Sequence, residues 1–219
     1  MLQKQSREWK VSAMEPSKGI LLIVLSVLLL HVPTTFAAVG VISSNTNVVI
    51  IAGTGKTNPE IPIVPATGQL GPLSIDAVST INFASIEIGK KGTAQVPQGE
   101  VLGIQVTDTR GLGAGWNVMV KISEFQNLKK DRMLKADISI PAGKVESQKS
   151  GIMDAPTANS VILNEFDSPI FSAPKGKGMG TFTSSFEGDG KQVIITVPPG
   201  ALTDSYSANL SWTLQDAPS

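Results

Sequence analysis

Cysteine is absent from the 219 residues, and the single histidine, His31, lies near the N-terminus. Beyond residue 37 the chain therefore cannot form a Ser-His-Asp triad, a Cys-His pair, or a zinc site ligated by His or Cys. It also lacks the disulfides that staple many small exported domains, so a folded domain here must rest on its apolar core. Aromatic residues are scarce: seven Phe, one Tyr and three Trp, too few for a long aromatic-lined substrate cleft. No segment holds a helical period. The run Lys175-Gly176-Lys177-Gly178 lacks the Gly-Lys-Ser/Thr ending and following helix of a phosphate loop. A basic excess is missing too. Four of the 18 basic and two of the 18 acidic residues precede Ala38, leaving 14 against 16, which does not suggest a nucleic-acid partner. Carboxylate pairs are the remaining acid–base chemistry. Glu165 with Asp167, and Glu187 with Asp189, sit in turn-like surroundings rather than opposed across a cleft. The expectation is a protein that is not an enzyme, with no catalytic residue, no cofactor and no metal.

Near the N-terminus, Lys4, Arg7, Lys10 and Lys18 precede an apolar run from Ile20 to Leu30, broken only by Ser26. Pro33 and then Thr35-Phe36-Ala37 follow. A basic region, an apolar stretch and a small-x-small site describe a cleaved export signal, residues 1–37, whether translation starts at Met1 or Met14. A membrane-spanning helix needs about 20 apolar residues, roughly twice this run. Nothing after residue 38 is long and apolar enough to span a bilayer, and no C-terminal anchor is expected.

The rest is rich in Val, Ile and Thr and is punctuated by Gly and Pro, the pattern of short antiparallel strands. Asn47–Ile51 reads as a strand. Pro59, Pro62 and Pro65 mark a linker or long exposed loop up to Gly68, because proline removes amide donors and favours extended backbone. Residues 38–68 thus form an N-terminal strand and Pro-rich segment, and residues 69–219 the main domain. Within it Leu102, Ile104 and Val106 share a face, as do Trp116, Val118, Val120 and Ile122. Phe125–Lys135 reads as a polar connection and residues 144–160 as loop. Val193, Ile195 and Val197 alternate. Tyr206, Ala208, Leu210, Trp212 and Leu214 form the apolar face of the last strand, which is expected to be central because it is long and proline-free. The predicted fold is an all-β, antiparallel β-sandwich-like single domain.

Several features in order resemble the WxL family. The closing Tyr206–Pro218 segment contains Trp212-Thr213-Leu214, similar to the family's Trp-x-Leu. Asp108-Thr109-Arg110-Gly111, leading through a Gly-rich turn to Gly115-Trp116, resembles its first tryptophan motif, with Val118 where the family has Leu. Gly71–Ile75 with Ile81-Asn82-Phe83, and Asn45–Val48 ahead of the Pro-rich stretch, resemble its opening. The likeness runs through nearly all of the chain after the signal. It implies a secreted, cell-surface protein held non-covalently on the peptidoglycan cell wall of Gram-positive bacteria. It also implies assembly with other WxL proteins and with membrane-anchored surface proteins. An interaction subunit retained on the wall indirectly, or an adhesin for host matrix, are the alternatives.

Within that resemblance Trp116, Val118, Trp212 and Leu214 are the wall-binding motif. An indole can stack on a sugar ring, but Trp among β-branched neighbours more commonly fills a core. Asp108 and Arg110 could contact a stem peptide or sugar hydroxyl, or could pair locally around a turn. Lys129, Lys130, Arg132 and Lys135, and the smaller Lys175 and Lys177 group, could meet teichoic-acid phosphates or simply be solvated surface.

Overall fold

A computed structural model describes residues 45–147, 154–187 and 190–217. The predicted signal segment and Asp189 lie outside the described residues. The domain belongs to the compact unit Val48–Ser219. It is all-β and every strand pairing is antiparallel.

One sheet orders β1 (Leu73–Val78), β4 (Gly103–Asp108), β13 (Gly180–Ser185) and β9 (Lys144–Glu146). A second orders β10 (Thr157–Ala158), β12 (Ser168–Ala173), β5 (Trp116–Ile122) and β16 (Leu210–Asp216). A third runs β11 (Val161–Ile162), β8 (Asp137–Ile140), β14 (Ile194–Thr196), β3 (Lys91–Gln95) and β2 (Asn82–Phe83). A small sheet joins β15 (Tyr206–Ser207), β6 (Phe125–Asn127) and β7 (Met133–Leu134). The first three sheets bury one shared core. Ile75, Ile104, Val106 and Phe182 come from the first, Trp116, Val118, Val120, Ile170 and Phe171 from the second, and Ile138, Ile140 and Ile195 from the third. Two-residue alternation supplies most of these positions, and the consecutive Ile170 and Phe171 sit where the β12–β5 register shifts.

The opposite face of the first sheet is polar yet buried. Ser74, Asp76, Gln105, Thr107, Thr181 and Thr183 are all shielded from water. Asp76 sits where the β1–β4 register shifts between Ile75 and Ala77. Its Oδ1 accepts from Ser74 Oγ at 2.7 Å, and its Oδ2 accepts from Gln105 Nε2 at 2.9 Å and Thr107 Oγ1 at 2.6 Å. Gln105 also donates to the Asn58 carbonyl at 3.0 Å and accepts from the Glu60 amide at 2.6 Å. The cover over this face is the proline-rich stretch itself.

That stretch is not a free linker: its outer side is exposed, but it is tied along the first sheet. Ile63 is fully buried. The Val101 amide bonds Pro62 O at 3.0 Å, the Thr67 amide bonds Asp76 O at 2.8 Å, and Ala66 bridges Ala77. Prolines cannot donate, but their carbonyls accept, so the segment straps β1 and β4 with side-chain and carbonyl partners in place of a regular ladder.

Other expectations are corrected. Asn47–Ile51 is not a strand: no neighbour pairs with it among the described residues, and Val48 to Ile51 stand out in solvent. Phe125–Lys135 is a hairpin, β6 to β7, rather than a simple connection. Buried Asn127 organises its turn, accepting from the Asp131 and Arg132 amides at 3.1 Å each. The 144–160 region contains β9 and β10. The final alternating run breaks at Ala208–Asn209, so β15 pairs with β6 while β16 pairs with β5. β16 is an edge strand, not a central one. Freedom from proline permits a central position but does not dictate it, and its half-buried side chains cover only one flank of the core.

Replacing Asp76 with Ala would strand three donors in a water-free site. Asp76→Ala is expected to lower unfolding free energy by about 3 kcal/mol, read as a fall in the urea midpoint. An unchanged midpoint would show that the strap is held by other contacts.

Candidate functional site

The β5–β16 ladder brings both tryptophan motifs onto adjacent strands. Trp212 lies opposite Val120, Leu214 opposite Val118, and Asp216 opposite Trp116. Four of the candidate residues predicted from the sequence, Trp116, Val118, Trp212 and Leu214, therefore form one patch of one sheet. The two indoles have different settings. Trp116 is fully buried, meets Phe171 edge-on at 5.0 Å, and donates Nε1–H to the Gly178 carbonyl at 3.0 Å. Gly178 has a left-handed φ of 73°, and a Cβ there would lie 2.7 Å from Trp116 Nε1. Only glycine lets the Lys175–Gly178 turn close over the indole. Val118 is also fully buried. Trp212 is half-buried and stacks on Phe186, with centroids 6.4 Å apart and planes 9° off parallel. Leu214 is half-buried beside it.

Asp108 and Arg110 form a corner clamp. The Asp108 side chain is wholly buried and that of Arg110 is 11% exposed. Arg110 Nε donates to Asp108 Oδ1 at 3.0 Å and its Nη2 to Asp108 Oδ2 at 2.7 Å, a bidentate pair. Nη2 also reaches the Gly115 carbonyl at 2.8 Å, and Nη1 pairs with Asp216 at the end of β16. The Asp108 hydrogen bonds hold the guanidinium more firmly protonated than usual, against the opposing effect of burial, with the Asp108 and Asp216 charges adding to them. The clamp ties the turn before β5 to the last strand, so the sequence-adjacent Asp and Arg and the distant Asp216 act together.

The basic group is displayed at the β6–β7 tip. Lys129 and Lys130 are exposed there, and Lys130 adopts a left-handed φ of 58°. Arg132 folds back onto the Thr203 carbonyl at 3.2 Å and Asp204 at 3.4 Å. Asn127 Nδ2 donates to Asp204 at 3.0 Å. That bond, then the Ser205 amide and the Arg132 and Lys129 charges, keep the Asp204 carboxyl below its ordinary range despite slight desolvation. Lys135 is exposed beyond the hairpin, and Lys175 and Lys177 sit on the exposed turn that closes over Trp116. Among the carboxylates weighed from the sequence, Asp167 pairs with Lys121 at 3.4 Å and Glu165 is exposed.

Behind this hairpin runs an apolar groove of about 740 Å³ that sequence reasoning missed. Phe83, Phe125 and Tyr206 supply aromatic surface, and Asn82, Asp204 and Ser205 supply hydrogen-bonding groups. The Tyr206 hydroxyl donates to Leu202 O at 3.0 Å, bracing the 202–206 wall. The two walls come from distant parts of the sequence, residues 80–88 and 201–210, so their adjacency leaves no local pattern. Leu202, an apolar residue just after the Pro198-Pro199-Gly200 turn, was the available signal.

No helix among the described residues is long and apolar enough to cross a membrane. The family model for the WxL domain, described as surface cell wall-binding, matches residues 37–218. No curated protein and no solved structure matches the chain.

Arg110→Met would leave the buried Asp108 charge without its bidentate partner. The expected cost is about 3 kcal/mol of stability, measured by chemical denaturation. A loss no larger than that of an exposed ion pair, below about 1 kcal/mol, would show that the clamp contributes little.

Proposed function

The chain belongs to the WxL family of surface cell wall-binding domains, and from that membership we propose that it is a non-enzymatic protein attached non-covalently to peptidoglycan through this domain. The observation that supports this most is the match of the surface cell wall-binding family model over residues 37–218. In this reading residues 1–37 are an export signal that delivers the domain to the cell surface, and the Pro-rich segment travels with the 69–219 domain as its strap.

The buried indole of Trp116 is closed to any sugar, so the first tryptophan motif serves the wall-binding fold rather than the ligand. The surface that suits a glycan is the groove. Phe83, Phe125 and Tyr206 offer faces for the apolar side of a pyranose ring, and Asn82, Asp204 and Ser205 offer partners for its hydroxyls. Lys129, whose charge acts on Asp204 of the groove wall, and Lys130 next to it in the chain add a point-charge attraction for wall anions without fixing geometry.

The test is sedimentation of the exported protein with washed, protein-free peptidoglycan, with and without teichoic acid. The protein is expected in the pellet in both cases, and Tyr206→Ala with Asn82→Ala is expected to weaken retention about tenfold. A folded protein that stays in the supernatant would contradict direct wall binding and point to retention through another surface protein.

A further inference from the structure

Most sheet edges in this domain are blunted. The edge of β1 carries a register shift and is covered by the strap through Ala66, Pro65 and Thr67. β2, β10 and β11 are two residues long, and β9 has three. β16 is different. It runs seven residues with no proline, no register irregularity and no charge before Asp216. Short strands, prolines, bulges and charges are the usual protection of an edge, and ahead of its terminal Asp216 β16 has none of them.

The pairing pattern shows which of its backbone groups are free. The Ser123 amide bonds the Asn209 carbonyl at 2.9 Å, and the Ala217 amide bonds the Gly115 carbonyl at 3.4 Å. Both pairs continue the β5–β16 register, so odd-numbered residues point their amide and carbonyl groups toward β5. Leu210, Trp212 and Leu214 therefore turn theirs outward. None of the three bonds another segment among the described residues. Their side chains, half-buried, leave the flank of the core beside β16 incompletely covered.

The same chain holds a segment of matching character that pairs with nothing among the described residues. Val48, Val49, Ile50 and Ile51 are 80–88% exposed, consecutive, β-branched and uncharged. The Gly53 amide is tethered to the Thr109 carbonyl at 3.1 Å, and ahead of that point the run bonds no other segment among the described residues. β-Branched residues suit a pleated surface, and an extended segment of this kind gains both backbone partners and cross-strand packing on a free edge.

We propose that Val48–Ile51 of one copy adds as a fifth strand to the outer edge of β16 of a second copy. The run bonds the outward amides and carbonyls of Leu210, Trp212 and Leu214, and alternate Val and Ile side chains cover Trp212 and Leu214. Donor and acceptor are different surfaces of one chain, so the contact is head-to-tail and can propagate along a surface. The Trp-x-Leu strand then presents its backbone to a neighbour while its side chains close the core.

The absence of cysteine makes the test direct, because introduced thiols are the only ones present. The full chain is expressed in a Gram-positive host and recovered as that host exports it. Chains carrying Val49→Cys, or Ile50→Cys, are mixed with chains carrying Thr213→Cys, an exposed position on β16, and mildly oxidised. One of the two mixtures is expected to yield disulfide-linked dimers about tenfold above a mixture using Leu128→Cys, which is 95% exposed on the hairpin tip. In the cysteine-free chain, Val49→Lys with Ile51→Lys is expected to weaken self-association about tenfold by light scattering. A yield no higher than the Leu128 control would overturn the proposal, as would a monomeric mass that the lysines leave unchanged. Dimers of Thr213→Cys alone would assign the edge to β16–β16 pairing and overturn it too. With both cysteines on one chain, a link confined to monomers would assign the run to its own β16 and overturn the second-copy contact.

Discussion

The seven-residue pairing of β5 with β16 is the interaction on which the rest of the domain depends. It joins the first tryptophan motif to the last strand of the chain, and the Asp108–Arg110–Asp216 clamp fastens its end. β5 in turn pairs on its other side with β12, so Trp116, Val118 and Val120 become the centre of the shared core. A domain without disulfides has to convert such long-range pairings into apolar burial, and Trp116, Phe171, Phe182 and Phe186 are the largest of its fully buried side chains. Loss of β16 would uncover one flank of the core and release Arg110 from Asp216.

The strap solves a second problem of the same kind. The far side of the first sheet is lined with Ser, Thr, Asp and Gln, which would ordinarily face water. Covering it with a proline-rich segment removes that water, and each buried polar group then needs a protein partner. Asp76 and Gln105 meet this need by linking β1 and β4 to Asn58 and Glu60 of the strap. Proline content and extended backbone look the same in a free linker and in a strap of this kind. The distinction lies in Ile63 and in the polar face that receives the segment.

The all-β class, the antiparallel sandwich and the apolar faces of β4, β5 and β16 were legible in the sequence. Two-residue alternation, as in Leu102, Ile104 and Val106, is a local signal. The Asp108–Arg110 pair was legible as a local turn contact, though Asp216 as its third member was not. The edge position of β16 was invisible, since alternation reports that one face is buried and says nothing about the number of neighbours. Asn47–Ile51 shows the converse limit: β propensity marks a segment that would pair if a partner were present, and none is in place among the described residues. The groove beside Phe83 and Tyr206 arises only when distant segments converge.

The residues that name the family are thereby distinct from the groove proposed to meet the wall. The most direct test is the peptidoglycan affinity of Trp116→Phe, measured on its folded fraction. Phe keeps most of the apolar volume but loses the bond to Gly178, so stability should fall by about 2 kcal/mol while the affinity of the folded protein stays within about twofold of the parent. A Trp116→Phe protein that is folded yet binds peptidoglycan about tenfold more weakly would contradict the separation and return the buried indole to the binding site.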